Sequence, residues 1–434
     1  MKMKKYALLL IMLATTIGAF AAREVGGDIS LLSRYEANGA RYLNQNGGLV
    51  SGDKLLYLKE QGWSSMRVRL FVDPSKASNA DKGQGVCQDL PYVIALGKRI
   101  KQAGLTFMLD FHYSDSWADP VKQFTPAAWV GLNDEQLYQK IYDYTRDCLE
   151  QLVAAGATPD YIQTGNEISY GMLWGPEGGT LLKCYTSNNA NWARFTTLLA
   201  NAGRACREVC PKAKIVIHTE RVPNIGVLTA FYDRMNAASL DYDIIGLSYY
   251  PYFHRQLSQL QSALAQLQTK YPDKKVMIVE TGYYHAYQPD NVTFDYSGTY
   301  PITPAGQLAF TQDMIKAVKA YKNVIGIYWW WPEANEYGLN WSTKRVTDAW
   351  YNAGLWDNST GRAMPALYAL KDYLPAAGDI NDDTTVDITD LNLLINQLLA
   401  IDDPYNFPGS GDVNRDGKID ITDLNVLINQ ILGQ

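Results

Sequence analysis

The sequence predicts a (β/α)8 barrel followed by a small all-α domain. Three observations carry this reading. Between about residues 24 and 375, short apolar runs alternate with longer amphipathic stretches. Nearly every apolar run ends in a residue able to do chemistry. Beyond residue 378 the chain changes to an acidic repeat whose apolar residues fall at helical spacing. The 434 residues are 47% hydrophobic and 19% charged, enough for a large core and outside the compositions that stay disordered.

The chain opens with MKMKKYALLLIMLATTIGAFAA. Lys2, Lys4 and Lys5 precede an apolar stretch from Ala7 to Gly18, and small residues follow at Ala19, Ala21 and Ala22. This is the pattern of a secretory signal peptide over residues 1–22. The stretch is short for a membrane span, no other run reaches 18 apolar residues, and no lipoprotein cysteine follows. A secreted or periplasmic protein without a membrane span is expected.

Eight apolar runs come next: 25–29, 65–71, 105–111, 160–166, 213–219, 242–250, 275–281 and 324–330. They are near-continuously hydrophobic, as strands buried on both faces must be. Helical periodicity lies between them at 90–103, 134–155, 190–209, 225–238, 256–270 and 305–320. Eight strands with intervening helices over about 350 residues make one barrel, predicted here as residues 23–377. An open doubly wound sheet is the alternative, but no Gly-rich phosphate turn follows the first strand.

The strand ends carry Asp28, Arg67 and Arg69, Asp110 and His112, Asn166 and Glu167, His218, Tyr249 and Tyr250, Glu280, and Trp329 and Trp330. Barrel active sites form at the C-terminal ends of the strands. Glu167 closes the fourth strand and Glu280 the seventh. A carboxylate there is costly unless paired, so each could be a structural ion pair, with Arg69 the expected partner. The chemical alternative is a retaining glycosidase pair facing across the barrel mouth, with carboxyls about 5–5.5 Å apart. One must hold a proton and the other must stay ionised, which Arg69 or a tyrosine hydroxyl would favour. Asn166 would then reach the sugar 2-hydroxyl.

The net charge is −6 and no basic cluster lies beyond the first five residues, so a nucleic-acid partner is not expected. The 11 Trp and 30 Tyr suit sugar stacking or a large core equally. Trp117, Trp174 and Trp329 to Trp331 lie on strand-end segments and are the stacking candidates. Cys87, Cys148, Cys184, Cys206 and Cys210 are too sparse for a disulfide scaffold and read as small buried residues.

GGDIS (26–30), RVRLFVDP (67–74), LDFHYSDSWADP (109–120), QTGNEI (163–168), SYYP (248–251) and VET (279–281) resemble glycoside hydrolase family 53 over about residues 25–375. That family comprises arabinogalactan endo-β-1,4-galactanases on a (β/α)8 barrel. The resemblance implies Glu167 as acid/base and Glu280 as nucleophile. It implies a sugar-binding shell of Asp28, Arg69, His112, Trp117, Asn166, His218, Tyr250 and Trp330, a β-1,4-galactan substrate from pectin, and no catalytic cofactor. A monomer is expected. Two stretches depart from the family pattern: HTERVPN (218–224) replaces an Asp-Asn segment, and WWWPE (329–333) replaces a single Trp before Glu-Pro. The fold and the two Glu would also serve a β-mannanase, a β-glucanase or a catalytically silent glycan-binding protein.

Residues 378–434 hold eleven Asp against one Arg and one Lys. Two stretches repeat at a spacing of 33, starting at Gly378 and Gly411. Positions 1, 3, 5, 9 and 12 of a calcium loop are Asp379, Asn381, Asp383, Asp387 and Asp390, then Asp412, Asn414, Asp416, Asp420 and Asp423. Gly417 fills the sharp-turn sixth position of the second loop, whereas Thr384 fills it in the first and should strain it. A single helix after each loop resembles a type I dockerin. That implies structural Ca2+ and a cohesin-type partner, with Ile388, Thr389, Ile421 and Thr422 at the recognition positions.

Overall fold

The computed structural model describes residues 23–184, 188–288, 291–340, 342, 345–347, 350–399, 411–414 and 419–433. The signal-peptide segment, Asp416 and Gly417 lie outside them. The chain divides into two compact units, Arg23–Pro375 and the segment from Ala376 onward.

The first unit is a closed barrel of eight parallel strands in sequence order. They are β1 (Glu24–Asp28), β2 (Ser65–Leu70), β3 (Thr106–Phe111), β4 (Tyr161–Thr164), β5 (Lys214–Thr219), β6 (Ile244–Tyr249), β7 (Lys275–Thr281) and β8 (Val324–Trp330). Each apolar run of the sequence became one strand, because burial on both faces selects continuous hydrophobicity over alternation. β1 pairs with β8 from Glu24↔Gly326 to Asp28↔Trp330, which closes the ring. Close approach explains Gly26: a Cβ there would lie 2.5 Å from the Ser65 carbonyl oxygen and 2.7 Å from the Tyr328 ring.

The predicted long helices form the outer layer. Helix Asp134–Ala154 is held at its start by a capping box between Asn133 and Gln136. It buries Leu137, Ile141, Leu149 and Leu152 on one face, each worth about 1.5–3 kcal/mol when fully removed from water. Short helices at Leu32–Asn38, Lys54–Glu60 and Pro251–His254 escaped the sequence reading. Segments of seven residues or fewer carry too few turns to show a period. All five cysteines are free thiols, four of them buried. Among the described residues no helix is long and apolar enough to cross a membrane.

The second unit has helices Ile388–Leu399 and Ile421–Leu432. Leu394 and Leu427 are its fully buried centre, with Ile380 and Val413 completing the core. Thr384 sits at φ +75°, a left-handed conformation costly for a β-branched residue, as its loop position led one to expect.

Candidate active site

Arg67 is the hub of the barrel mouth. It rises from β2, is fully enclosed, and meets three carboxylates: Asp28 at 2.9 Å, Asp110 at 2.8 Å and Glu280 at 3.0 Å. Its Nη2 also donates to Asn166 Oδ1 at 2.8 Å. A guanidinium supplies five donors in a rigid fork, so one cation can orient side chains from β1, β3, β4 and β7 together. The sequence reading assigned the cationic partner of Glu280 to Arg69, and the structure corrects this. Along a strand, residues two apart share a face, so both arginines point inward and sequence cannot choose between them. Arg69 lies one level further out. It pairs with Asp28 at 2.8 Å, and its guanidinium stands 4.7–5.3 Å from the ring centres of Trp117, Trp330 and Trp331.

Glu280 is 5% exposed. Tyr250 donates its hydroxyl to Oε2 at 3.0 Å, while Oε1 faces Arg67. Burial pushes its carboxyl up to about 7, against the downward pull of Arg67 and the Tyr250 hydrogen bond. Glu167 follows β4 at φ +47° and is half-buried. Burial, then the charges of Glu280 and Glu220, raise its carboxyl well above the usual range. It accepts a 2.6 Å hydrogen bond from Ser248, and among the described residues no cation holds it as Arg67 holds Glu280. The two carboxyls are therefore unlike. Glu280 faces a cation and a hydroxyl donor that favour the anion, and Glu167 faces negative charge that favours the acid.

β4 and β7 stand three strands apart in the ring, not diametrically opposed, because β8 is the strand opposite β4. β5 and β6 fill the gap between them. The β6–β7 register shifts at Leu247/Ser248, so that Ser248 pairs with Glu280. A bulge re-aims side chains in this way, and sequence alone gave no sign of it.

The other predicted residues gather at the same mouth. Asn166 donates to the Ala118 carbonyl at 2.8 Å. His112 accepts from the Ala118 amide at 3.0 Å and lies 3.1 Å from Asp110. Burial would raise Asp110, but Arg67 and His112 hold it below its ordinary value. Asp28, Arg69 and His218 are 0% exposed and His112 is 1% exposed, so they stand behind the surface a sugar would touch. Tyr250, Asn166, Trp117 and Trp330 lie nearer that surface. Of the stacking candidates, Trp174, Trp329 and Trp331 are almost wholly buried, and the Trp329 indole is spent on the Ala353 carbonyl at 2.9 Å. Trp330 stacks on Trp331 at 5.2 Å and 15°. Trp350, which carried no motif in the sequence, stands 5.7 Å from Tyr250 and 6.3 Å from Trp330. Glu333 was not singled out either. It is 1% exposed, accepts from the Leu31 amide at 2.9 Å, and burial pushes it up to about 8.

In the second unit, Asp379 accepts from the amides of Asp383 and Thr384, and Asp390 from those of Ile380, Asn381 and Asp387. Asp423 serves Asn414 and Asp420 in the same way. The donor set is all oxygen and fits a hard cation in kind. Among the described residues no three acidic, His or Cys side chains converge as a ligand cluster. Burial and the charges of Asp382 and Asp390 raise Asp379, a repulsion that a cation would relieve.

The family model "Glycosyl hydrolase family 53" matches residues 24–370, and "Dockerin type I domain" matches residues 377–432. An arabinogalactan endo-β-1,4-galactanase of Cellvibrio japonicus is 32% identical over 373 residues, covering 81% of this chain and 92% of its own. An endo-β-1,4-galactanase of Bacillus subtilis is 29% identical over 389 residues, covering 81% and 86%. The solved GH53 catalytic domain of Ignisphaera aggregans superposes with a TM-score of 0.69 at 30% identity, covering 82% of this chain and 97% of that one.

Proposed function

The chain belongs to glycosyl hydrolase family 53, and from that premise we propose that it is a retaining endo-β-1,4-galactanase with Glu280 as nucleophile and Glu167 as acid/base. The unequal surroundings of the two carboxyls carry this assignment. In the first step Glu280 attacks the anomeric carbon as the glycosidic C–O bond breaks. Glu167 gives its proton to the departing oxygen, leaving a glycosyl ester on Glu280. In the second step Glu167 takes a proton from water, the water oxygen attacks the same carbon, and Glu280 departs as a carboxylate. Two inversions retain configuration.

Arg67 and Tyr250 hold the charge that Glu280 must carry before attack and regain after it. Burial and the nearby anions favour the protonated form of Glu167, and esterification of Glu280 removes one of those anions, easing its ionisation for the second step. Asn166, Tyr250, Trp117 and Trp330 contact the sugar, while Asp28, Arg69, His112 and His218 position them. The substrate is the β-1,4-galactan of pectin, whose axial 4-linkages bend the chain and call for tilted aromatic rings. Residues 1–22 export the protein. The segment 378–434 is a dockerin-like module that Asp379, Asn381, Asp383, Asp387 and Asp390, and then Asp412, Asn414, Asp416, Asp420 and Asp423, tie to two Ca2+ ions and that docks a cohesin-type partner.

Reducing-end release from purified galactan, mannan and glucan tests the substrate. Proton NMR of the first product tests the stereochemistry. Galactan cleavage with initial release of the β-anomer is expected. Cleavage of mannan or glucan instead, or initial α-anomer, would overturn the proposal.

A further inference from the structure

Three hydrogen bonds run from the backbone of Glu167 back to its own carboxyl. The Glu167 amide donates to His218 Nδ1 at 3.3 Å, His218 Nε2 lies 2.8 Å from Ser248 Oγ, and Ser248 Oγ donates to Glu167 Oε1 at 2.6 Å. The direction of each follows from its neighbours. His218 and Ser248 are both 0% exposed. Burial, then the charge of Arg67, pushes the His218 imidazole well below its ordinary value, so it carries one proton. Nδ1 already meets the Glu167 amide and Gln163 Nε2 at 3.1 Å. Asn166 Oδ1 also stands 3.0 Å from Nδ1, but its two lone pairs already accept from Arg67 Nη2 at 2.8 Å and Gln163 Nε2 at 3.3 Å. The single proton therefore sits on Nε2 and is donated to Ser248, which frees the serine hydroxyl hydrogen for Glu167. Glu167 reaches the pair from a left-handed backbone at φ +47°, and Ser248 stands on β6 where its register with β7 shifts to set it level with Glu280.

We infer that Ser248 and His218 are positioning residues that keep Glu167 Oε1 a permanent acceptor, so that the catalytic proton is carried on Oε2 in both steps. The inference rests on Glu167 being the acid/base. A carboxylic acid that rotates its proton between two oxygens presents it to the leaving group only part of the time. A short donor on one oxygen removes that ambiguity and restrains the side chain. No proton leaves along the chain: Ser248 and His218 keep their own, and the transferred proton moves between Glu167 Oε2 and the glycosidic or water oxygen. The groups that set the ionisation of Glu167 are Glu280 on β7, Glu220 after β5, Asp119 after β3 and Ser248 on β6, with Tyr250 near enough to feel its charge.

The test is Ser248→Ala, with Ser248→Thr as rescue and Glu167→Ala alongside. On galactan, kcat of Ser248→Ala is expected to fall about 10- to 100-fold, a part of the roughly 100- to 10,000-fold that general acid–base catalysis supplies. On a dinitrophenyl galacto-oligosaccharide, whose leaving group needs little protonation, the glycosylation burst should stay near wild type. Losing a donor to the ionised form raises the acid/base, so the basic limb of kcat/KM on galactan should move to higher pH. Ser248→Thr should restore both, and His218→Gln should shift the limb in the same direction as Ser248→Ala. Should Ser248→Ala fail to fold, Ser248→Cys, close in shape and a weak donor, gives the same readings. Equal losses on both substrates with an unmoved basic limb, or a threonine that rescues neither, would overturn the inference. If Glu167→Ala shows no dependence on leaving group, the acid/base reading falls and takes the inference with it. If Glu167→Ala shows it and Ser248→Ala does not, only the inference falls.

Discussion

Replacing Tyr250 by Phe removes one hydrogen bond, 3.0 Å long, from the Oε2 of Glu280 and leaves the ring in place. The ring itself is held by Tyr252 at 5.5 Å and Trp350 at 5.7 Å, so the fold should tolerate the change. Glu280 is 5% exposed, and water cannot easily replace the lost donor. A hydrogen bond to an ionised group is worth about 1.5–3 kcal/mol, and about 1.4 kcal/mol corresponds to one pKa unit. Glu280 should therefore rise by about one to two units from its value of about 7. At pH 6 the ionised fraction would drop from about one in ten to about one in a hundred or less. The loss in kcat/KM on galactan at pH 6 should be about 10- to 100-fold and should shrink as pH rises. The assay is the pH dependence of kcat/KM, paired with the rate of inactivation by a 2-deoxy-2-fluoro galactoside carrying a good leaving group. Both should show the acid limb displaced upward. A uniform fall in rate with the acid limb unmoved would mean that the hydroxyl serves the sugar and not the nucleophile.

Glu280→Gln should abolish hydrolysis with the melting temperature nearly unchanged, and azide added to Glu280→Ala should yield an inverted α-galactosyl azide; near wild-type turnover would refute the assignment. At the floor of the barrel, burial raises Glu24 to about 7 although Ser64, Thr106 and Tyr161 hydrogen-bond it. A folded pKa above the unfolded one contributes stability below about pH 4.5 that is lost as pH rises through about 7, here about 3 kcal/mol. Glu24→Gln should therefore melt higher than wild type at pH 8 and equally at pH 4, and no gain at pH 8 would count against it. Thr384→Gly should relieve the left-handed strain and stabilise the acidic unit by about 1 kcal/mol, read by calcium-dependent melting of the isolated tail. Chelator should remove the tail's helical signal, and truncation at residue 377 should leave galactan turnover intact; a truncated enzyme without activity would show the units to be interdependent.

The barrel was legible because each of its strands is an uninterrupted apolar run, and the long helices repeat their pattern over several turns. The stretch QTGNEI placed Glu167 at a strand end, and MIVET placed Glu280. Short helices such as Pro251–His254 were not legible, and neither was Trp350, which lies in no periodic segment. The acidic unit was read from its repeat, and Thr384 could be marked as strained from its loop position alone.

Which side chains touch was a different matter. Arg67 and Arg69 share one face of β2, and only the level at which each enters the barrel gives Arg67 the Glu280 carboxyl and Arg69 the tryptophans. Ser248 reaches Glu167 from β6, and a one-residue shift in the β6–β7 register sets it level with Glu280; a register shift leaves no mark on hydrophobic periodicity. Trp174, Trp329 and Trp331 had the composition of stacking residues, yet packing buried them. Local sequence determined the elements and their order, because propensity and periodicity act over a few residues. The pairing of charges, the direction of the His218–Ser248–Glu167 hydrogen bonds and the exposure of each ring were decided only by the tertiary structure, because each depends on distances between residues dozens to hundreds of positions apart.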